Sequence, residues 1–124
     1  MRILFLGDVV GSMGCSKITE NLPEEIKNNK IDFVIVNGEN ADDTGVGLTQ
    51  EICENFFNCG VDVITTGNHV WDQKNIMKFI EKENRLLRPK NLFEPAPGTG
   101  FEIFSSIGNF KIGVLNLMGN VFMK

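Results

Sequence analysis

The sequence contains little of what several common functional classes require. It has one histidine, His69, in 124 residues, so no metal centre within this chain can rest on a histidine cluster. Its three cysteines are an odd number without CxxC spacing, which argues against both a disulfide framework and a zinc knuckle. This cysteine usage favours a reducing compartment, and we expect the protein in the cytoplasm.

An excess of positive charge and long apolar runs are also missing. The formal net charge is −4, so we expect no broad surface for nucleic-acid binding. No run approaches the roughly 18 apolar residues of a membrane span, and neither a membrane partner nor a signal peptide is expected. With 42% hydrophobic and 23% charged residues, the chain is typical of one packed domain covering residues 1–124.

Three short apolar runs recur along the first half of the chain, and each ends in a polar loop. They predict buried strands over Arg2–Leu6, Phe33–Val36 and Val61–Ile64. Apolar residues at helical spacing follow each run. Three strand–helix units in succession predict an α/β fold with a parallel sheet.

Capping residues suggest where these helices begin and end. Ser12 or Ser16 is a candidate cap for the first helix, and Pro23 kinks that helix or marks its true start. Thr49 and Gly60 bracket the second helix, and Asp72 is a candidate cap for the third. After a loop rich in proline and glycine, Phe101–Ser106 and Lys111–Leu117 flank Gly108-Asn109, which predicts an antiparallel hairpin.

Polar residues follow each predicted strand at the point where the strand ends. Because the carboxyl ends of parallel strands meet at one edge of a sheet, we expect these residues to lie close together. Carboxylate and amide oxygens suit Mg²⁺, Mn²⁺ or Fe²⁺, and several of them on one rim require a cation to offset their charge. The residues are Asp8, Glu39, Asn40, Asn68 and His69.

Each of these residues also has a purely structural interpretation. Asp8 follows a glycine and can cap the next helix, while Asn40 and Asn68 are typical of left-handed turn positions. A single histidine is commonly a surface or core residue. The glycines after the first strand fit neither the dinucleotide nor the P-loop spacing. The coincidence of polar residues at three successive strand ends favours the metal site.

Five motifs resemble, in order and spacing, the bacterial metallophosphoesterase family of 2′,3′-cyclic-nucleotide 2′-phosphodiesterases. The resemblance covers essentially all of this chain and about the first half of a typical family member. The motifs are Gly7-Asp8-Val9-Val10-Gly11, Gly38-Glu39-Asn40-Ala41, Gly67-Asn68-His69-Val70-Trp71-Asp72, Arg88-Pro89-x-Asn91 and Asn116-Leu117-Met118-Gly119.

The resemblance implies a fold, a metal centre and an activity. The fold would be the N-terminal half of a metallophosphoesterase-type α/β/β/α sandwich, an incomplete single domain. Two divalent metal ions, iron or manganese with magnesium as a further candidate, would be bound by the carboxylates of Asp8 and Glu39 and by the amide oxygens of Asn40 and Asn68. His69 would act at the scissile phosphate of a nucleotide or another phosphoester.

The family supplies its remaining metal ligands as histidines in a second half, which leaves three interpretations of this chain. It is part of a complete phosphodiesterase, split or excised. Alternatively, it is a short protein that forms a homo-oligomer through the exposed sheet edge of its hairpin. As a third alternative, it is a catalytically inactive fragment that binds a nucleotide or phosphate.

Overall fold

A computed structural model describes residues 1–123 and contains a four-stranded parallel sheet. The first three strands confirm the predicted ones, although Val61 lies outside the third. The sequence pattern does not indicate the fourth strand, because two residues are too short a run to show periodicity. In spatial and chain order the strands are β1 (Ile3–Leu6), β2 (Phe33–Asn37), β3 (Val63–Thr65) and β4 (Leu86–Leu87).

Three helices connect these strands and cover one face of the sheet. They are α1 (Gly11–Asn29), α2 (Gln50–Cys59) and α3 (Ile76–Ile80). Leu22 of α1, Phe56 of α2 and Ile80 of α3 are 0–3% exposed and share one hydrophobic cluster with residues of the sheet. Burial of these side chains, worth about 2 kcal/mol each, is what holds the helices on the sheet.

The predicted boundaries of α2 are confirmed. The Thr49 hydroxyl accepts a hydrogen bond from the backbone N–H of Ile52 at 3.3 Å, as an N-cap residue does. Gly60 ends the helix at φ 113°, a conformation in which glycine carries no steric penalty.

The predicted caps of α1 and α3 are wrong. Helix α1 begins at Gly11 with Val10 as its N-cap, so Ser12 and Ser16 lie inside the helix, as does Pro23. Helix α3 begins after Asn75, which has φ 68°. Asp72 does not cap α3, because its carboxylate instead accepts a hydrogen bond from His69.

The predicted antiparallel hairpin is confirmed as strands β5 (Phe101–Ser105) and β6 (Lys111–Leu115), joined through residues 106–110. Gly108 and Asn109 both have positive φ, at 86° and 62°, as the Gly-Asn signal predicts. The inner face of the hairpin packs on the sheet face opposite the helices, where the rings of Phe33 and Phe104 are 5.9 Å apart.

The layers are therefore helices, parallel sheet and antiparallel hairpin, which confirms the expected fold class. The hairpin leaves an apolar outer face, with Phe101, Ile103 and Leu115 44–56% exposed. Within residues 1–123, no helix combines the length and the apolar character that a membrane span requires.

Candidate functional site

The three loops that follow β1, β2 and β3 lie at one edge of the parallel sheet. Leu6 pairs with Val36 and Asn37 with Thr65, so the carboxyl ends of the three strands are aligned. All five candidate residues follow these aligned ends within four positions. The strand-end rule therefore places them on a common rim, as the sequence predicts.

Asp8 and Asn40 are in direct contact across the first two loops. The Asn40 side-chain amide donates to both carboxylate oxygens of Asp8, at 3.1 and 3.0 Å. The backbone supports this contact, because the N–H of Gly11 donates to the carbonyl of Asn40 at 3.0 Å. Since Glu39 precedes Asn40, both acidic residues of the candidate site lie on the same side of the molecule.

Glu39 lies against the third loop. A Cβ atom built on Gly67 would overlap the Glu39 carboxyl carbon, so only a glycine leaves the carboxylate its present position. One carboxylate oxygen of Glu39 also accepts a long hydrogen bond from the backbone N–H of His69, at 3.5 Å. The loops that follow β2 and β3 thus pack against each other at the Glu39 carboxylate.

His69 is held by a short hydrogen bond to Asp72, with 2.6 Å between Nδ1 and Oδ2. A carboxylate can only accept, so Nδ1 carries the proton and Nε2 remains for another partner. The His69 side chain is 36% exposed, which leaves the ring accessible to a ligand from solvent. The predicted histidine is therefore oriented by Asp72, for which the sequence pattern predicts a helix-capping role.

The turn and capping roles considered for Asn40, Asn68 and Asp8 are not observed. Asn40 and Asn68 do not occur among the residues with positive φ, so they are not left-handed turn residues. Helix α1 has no side-chain cap, so Asp8 does not serve that role. Asn68 is exposed at the rim and Asn40 is half-buried. Their roles as metal ligands remain predictions.

The donor set suits hard divalent cations but is incomplete for two of them. Asp8 and Glu39 offer carboxylates, and Asn40 and Asn68 offer amide carbonyls, which are the oxygen ligands that Mg²⁺ and Mn²⁺ prefer. The Glu39 carboxylate occupies the space that a side chain at Gly67 would fill, and this position suits a ligand role for Glu39. No group of three or more His, Cys, Asp or Glu side chains suited to a metal occurs in residues 1–123. A divalent cation held here would need further ligands beyond these side chains.

Two residues that contribute to the site region, Asp72 and Asn116, are not predicted as site residues from the sequence. Asp72 carries a signal in its spacing of three residues from the only histidine, but the same position also fits a helix cap. Asn116 is 7% exposed and its amide donates to the carbonyls of Thr66 and Leu87, both at 2.9 Å. These hydrogen bonds connect the end of β6 to the loop after β3. The motif that begins at Asn116 is the one sequence signal that points to this residue.

Cys15 is a free thiol near the start of α1. Its Sγ donates to the carbonyl of Ala41 at 3.2 Å. Burial raises the pKa of this thiol, and the charges of Asp43 and Asp42 raise it further. A thiol with a raised pKa is a poor nucleophile, and Cys15 packs against the hydrophobic core, so we interpret it as a structural residue.

Comparison with known proteins identifies relatives that are longer than this chain. It is 44% identical over 123 residues to a 2′,3′-cyclic-nucleotide 2′-phosphodiesterase of Bacillus subtilis, spanning 99% of this chain and 46% of that protein. The chain therefore spans about half the length of this relative. A novel phosphatase from Mycoplasma pneumoniae has the same fold, with a TM-score of 0.82 and 36% identity over 94% of this chain and 42% of its own.

A hypothetical protein from Thermus thermophilus is also similar in structure. Its TM-score is 0.90 at 35% identity, and the match covers all of this chain and 47% of that one. The match to the family described as YmdB-like protein extends over residues 4–124. Because that match includes nearly every residue of the chain, the protein belongs to the YmdB-like family.

Proposed function

We propose that residues 1–124 form the N-terminal part of a metal-dependent phosphodiesterase that acts on 2′,3′-cyclic nucleotides or related phosphoesters. The observation that carries this proposal is the grouping of Asp8, Asn40 and Glu39 beside a histidine whose Nδ1 is bound to Asp72. The names of the relatives support hydrolysis of phosphoesters. A catalytically inactive binding fragment is not favoured, because these relatives are named as hydrolases.

The residues at the rim would have two distinct roles, metal binding and proton transfer. Asp8, Glu39, Asn40 and Asn68 would hold divalent metal ions, iron or manganese with magnesium as a further candidate. When bound, such ions supply positive charge that orients the phosphate and lowers the pKa of water. The remaining ligands would come from the histidines of a second half, which suits the incomplete donor set.

His69 would serve as the proton donor at the leaving oxygen. In hydrolysis of a 2′,3′-cyclic phosphate, water loses a proton to solvent and forms a new bond to phosphorus, the bond from phosphorus to the 2′-oxygen breaks, and that oxygen gains a proton. A protonated His69 can supply the proton from Nε2, because Nδ1 is occupied by Asp72. The product would be a 3′-monophosphate. We propose a cytoplasmic location as well, which the three free cysteines suit.

Metal analysis of the purified chain tests the ligand assignment. After equilibration with Mn²⁺ and removal of free ion, we expect Asp8→Ala and Asn68→Ala to retain less metal than the unchanged chain. Glu20→Ala is the matched control, because Glu20 is an exposed acid on α1, with its side chain 61% exposed. Equal retention of bound Mn²⁺ by all four proteins, above a protein-free blank, would contradict the assignment.

An activity measurement tests the reaction. We expect negligible cyclic phosphodiesterase activity from residues 1–124 alone and a gain of activity when a second half bearing histidines is supplied. His69→Ala should then lower turnover by roughly a hundredfold, since general acid catalysis contributes about that much or more. Strong metal-dependent turnover by the chain alone would show that the site needs no further ligands.

A further inference from the structure

Gln73 follows Asp72 in the loop after β3, and its side chain reaches the loop after β2. Its carboxamide nitrogen donates to the backbone carbonyl of Val46 at 2.8 Å and to the hydroxyl oxygen of Thr44 at 3.2 Å. These acceptors precede it by 27 and 29 residues in the chain. One side chain therefore joins two loops that each carry candidate site residues.

The donors and acceptors of this contact are matched. The Thr44 hydroxyl has one proton, and the shorter of the two hydrogen bonds that it can donate, at 2.7 Å, is to the Asp42 carboxylate. The hydroxyl oxygen is then free to accept from Gln73. The three side chains form a continuous run from amide to hydroxyl to carboxylate, in which each hydrogen bond strengthens the next.

Residues 42–47 depend on Gln73 for their attachment to the rest of the molecule. Within residues 1–123, the other hydrogen bonds of this segment stay inside the loop after β2. Among them, the Asp42 N–H donates to the carbonyl of Gly47 at 2.9 Å, and the Gly47 N–H donates to the carbonyl of Glu39 at 2.6 Å. These bonds shape the segment but do not connect it to the loop after β3.

Gly47 is the point at which the two loops touch. A Cβ atom built there would lie 3.0 Å from Cγ of Gln73, 3.1 Å from the carbonyl oxygen of His69 and 3.3 Å from Cβ of Asp72. The φ angle of Gly47 is 76°, so a side chain there would be strained as well as crowded. Gly47 therefore contacts the segment that carries His69, while its own N–H is bonded to Glu39.

We propose that Gln73 is a positioning residue. Its two hydrogen bonds hold Gly47 against the backbone of His69 and thereby fix the separation between Glu39 and the histidine. A metal ligand and a proton donor that act on one phosphate must be held within about 0.5 Å of their working geometry, and supporting hydrogen bonds provide such precision. This consequence rests on the proposed function. The contact between the loops does not depend on it.

Two matched variants test the contact in the metal-free chain. Gln73→Met removes both hydrogen bonds and keeps an unbranched side chain of similar length, and Lys74→Met places the same side chain at the exposed neighbouring position. We expect the Gly47 amide to exchange its hydrogen about tenfold faster in Gln73→Met alone, because two hydrogen bonds that hold its segment are lost. The Gly11 amide should exchange at an unchanged rate in both variants. Circular dichroism verifies that both are folded.

Proton distances test the separation of the loops directly. A nuclear Overhauser effect between the Hα protons of Gly47 and the Hβ protons of Asp72 is expected in the unchanged chain, because these two residues are in contact. Lys74→Met should retain this signal. Gln73→Met should lose it, because Gly47 is no longer held against the loop after β3.

Mn²⁺ then reports the consequence for the site. A small amount of bound paramagnetic ion broadens the signals of nearby protons, and the single histidine gives one set of ring signals. We compare the broadening of the His69 ring with that of the Gly11 amide, since this ratio does not depend on how much ion is bound. In Gln73→Met the ratio should fall roughly twofold, because broadening decreases steeply with distance and a site that loses its support shifts by about 1 Å. Lys74→Met should leave it unchanged.

Each outcome decides the proposal. It is overturned by a Gly47 amide that exchanges equally fast in the unchanged chain and in Gln73→Met, by equal acceleration in both variants, or by a nuclear Overhauser effect that persists. An unchanged broadening ratio would show that Gln73 supports the loop without positioning His69. If Mn²⁺ broadens neither signal in the unchanged chain, the proposed metal site is wrong, and the exchange rates and the proton distances still decide whether Gln73 holds the loops together.

Discussion

Asp72 determines which nitrogen of the His69 ring carries the proton when the imidazole is neutral. The distance of 2.6 Å between Nδ1 and the carboxylate requires the Nδ1–H tautomer. Asp72→Ala removes the acceptor, and we expect the population to shift toward the Nε2–H form. Because the chain has one histidine, a ¹⁵N spectrum at alkaline pH reports a single ring.

Asp43→Ala is the control for this measurement, because Asp43 is an exposed carboxylate in the loop after β2. It should leave the ring spectrum unchanged. An Asp72→Ala spectrum identical to that of the unchanged chain would show that the hydrogen bond does not orient His69 in solution.

Gly67 matters because of the carboxylate that lies against it. In Gly67→Ala, the new methyl group would occupy the space of the Glu39 carboxylate, which must then move. The carboxylate is the end of a flexible side chain, so we expect the free energy of unfolding to change by less than about 1 kcal/mol. The rise in melting temperature that Mn²⁺ binding produces should be lost, because the displaced carboxylate no longer faces the other ligands.

Gly119→Ala is a suitable control, since a Cβ atom at Gly119 would meet nothing within 4 Å. Thermal unfolding with and without Mn²⁺ compares the two variants. If Gly67→Ala keeps the full Mn²⁺ response, Glu39 is not a ligand in its present position.

Helix α2 depends on one side chain for its N-terminus. The Thr49 hydroxyl satisfies the N–H of Ile52, which has no partner within the first turn of the helix. Thr49→Ala should lower the free energy of unfolding by about 1 kcal/mol. Thr49→Ser keeps the hydroxyl and should cost much less. Urea denaturation measures both, and equal losses would show that packing of the threonine methyl, and not the cap, is what matters.

Helix ends and turns can be predicted from the sequence where their conformation depends on neighbouring residues alone. Thr49, Gly60 and Gly108-Asn109 were assigned correctly because their conformations depend on a few neighbouring residues. Ser12 and Ser16 failed because Gly11, at φ 65°, allows the helix to begin earlier. Asp72 failed because a partner three residues earlier competes for its carboxylate. Strand β4 could not be predicted, since the two residues acquire strand geometry only by pairing with β3.

Across the whole molecule, the position of the candidate site was the most predictable feature. The strand-end rule needs only the order of strands and helices, and it brings Asp8, Glu39 and Asn40 together without knowledge of side-chain contacts. The hydrogen bonds of His69 and the close approach of Glu39 to Gly67 could not be predicted, because they depend on distances between loops far apart in sequence. Asn116 is a similar case, since its partners are 29 and 50 residues away.

We predict that the isolated chain self-associates through the apolar outer face of the hairpin. Its apolar side chains point away from the sheet, and apolar surface that water must hydrate favours contact between copies. We expect the apparent mass in light scattering to rise with concentration. Leu115→Lys should suppress that rise, because a charge on this face must be desolvated on contact.

Met77→Lys provides a matched control for this prediction. Met77 and Leu115 are both 53% exposed, but Met77 lies on α3, on the other side of the sheet from the hairpin. The two variants add the same charge, so a difference between them reports the location of the surface and not the net charge. If both variants lower the apparent mass equally, repulsion between whole molecules explains the effect. A chain that stays monomeric at every concentration would show that the outer face of the hairpin does not drive association.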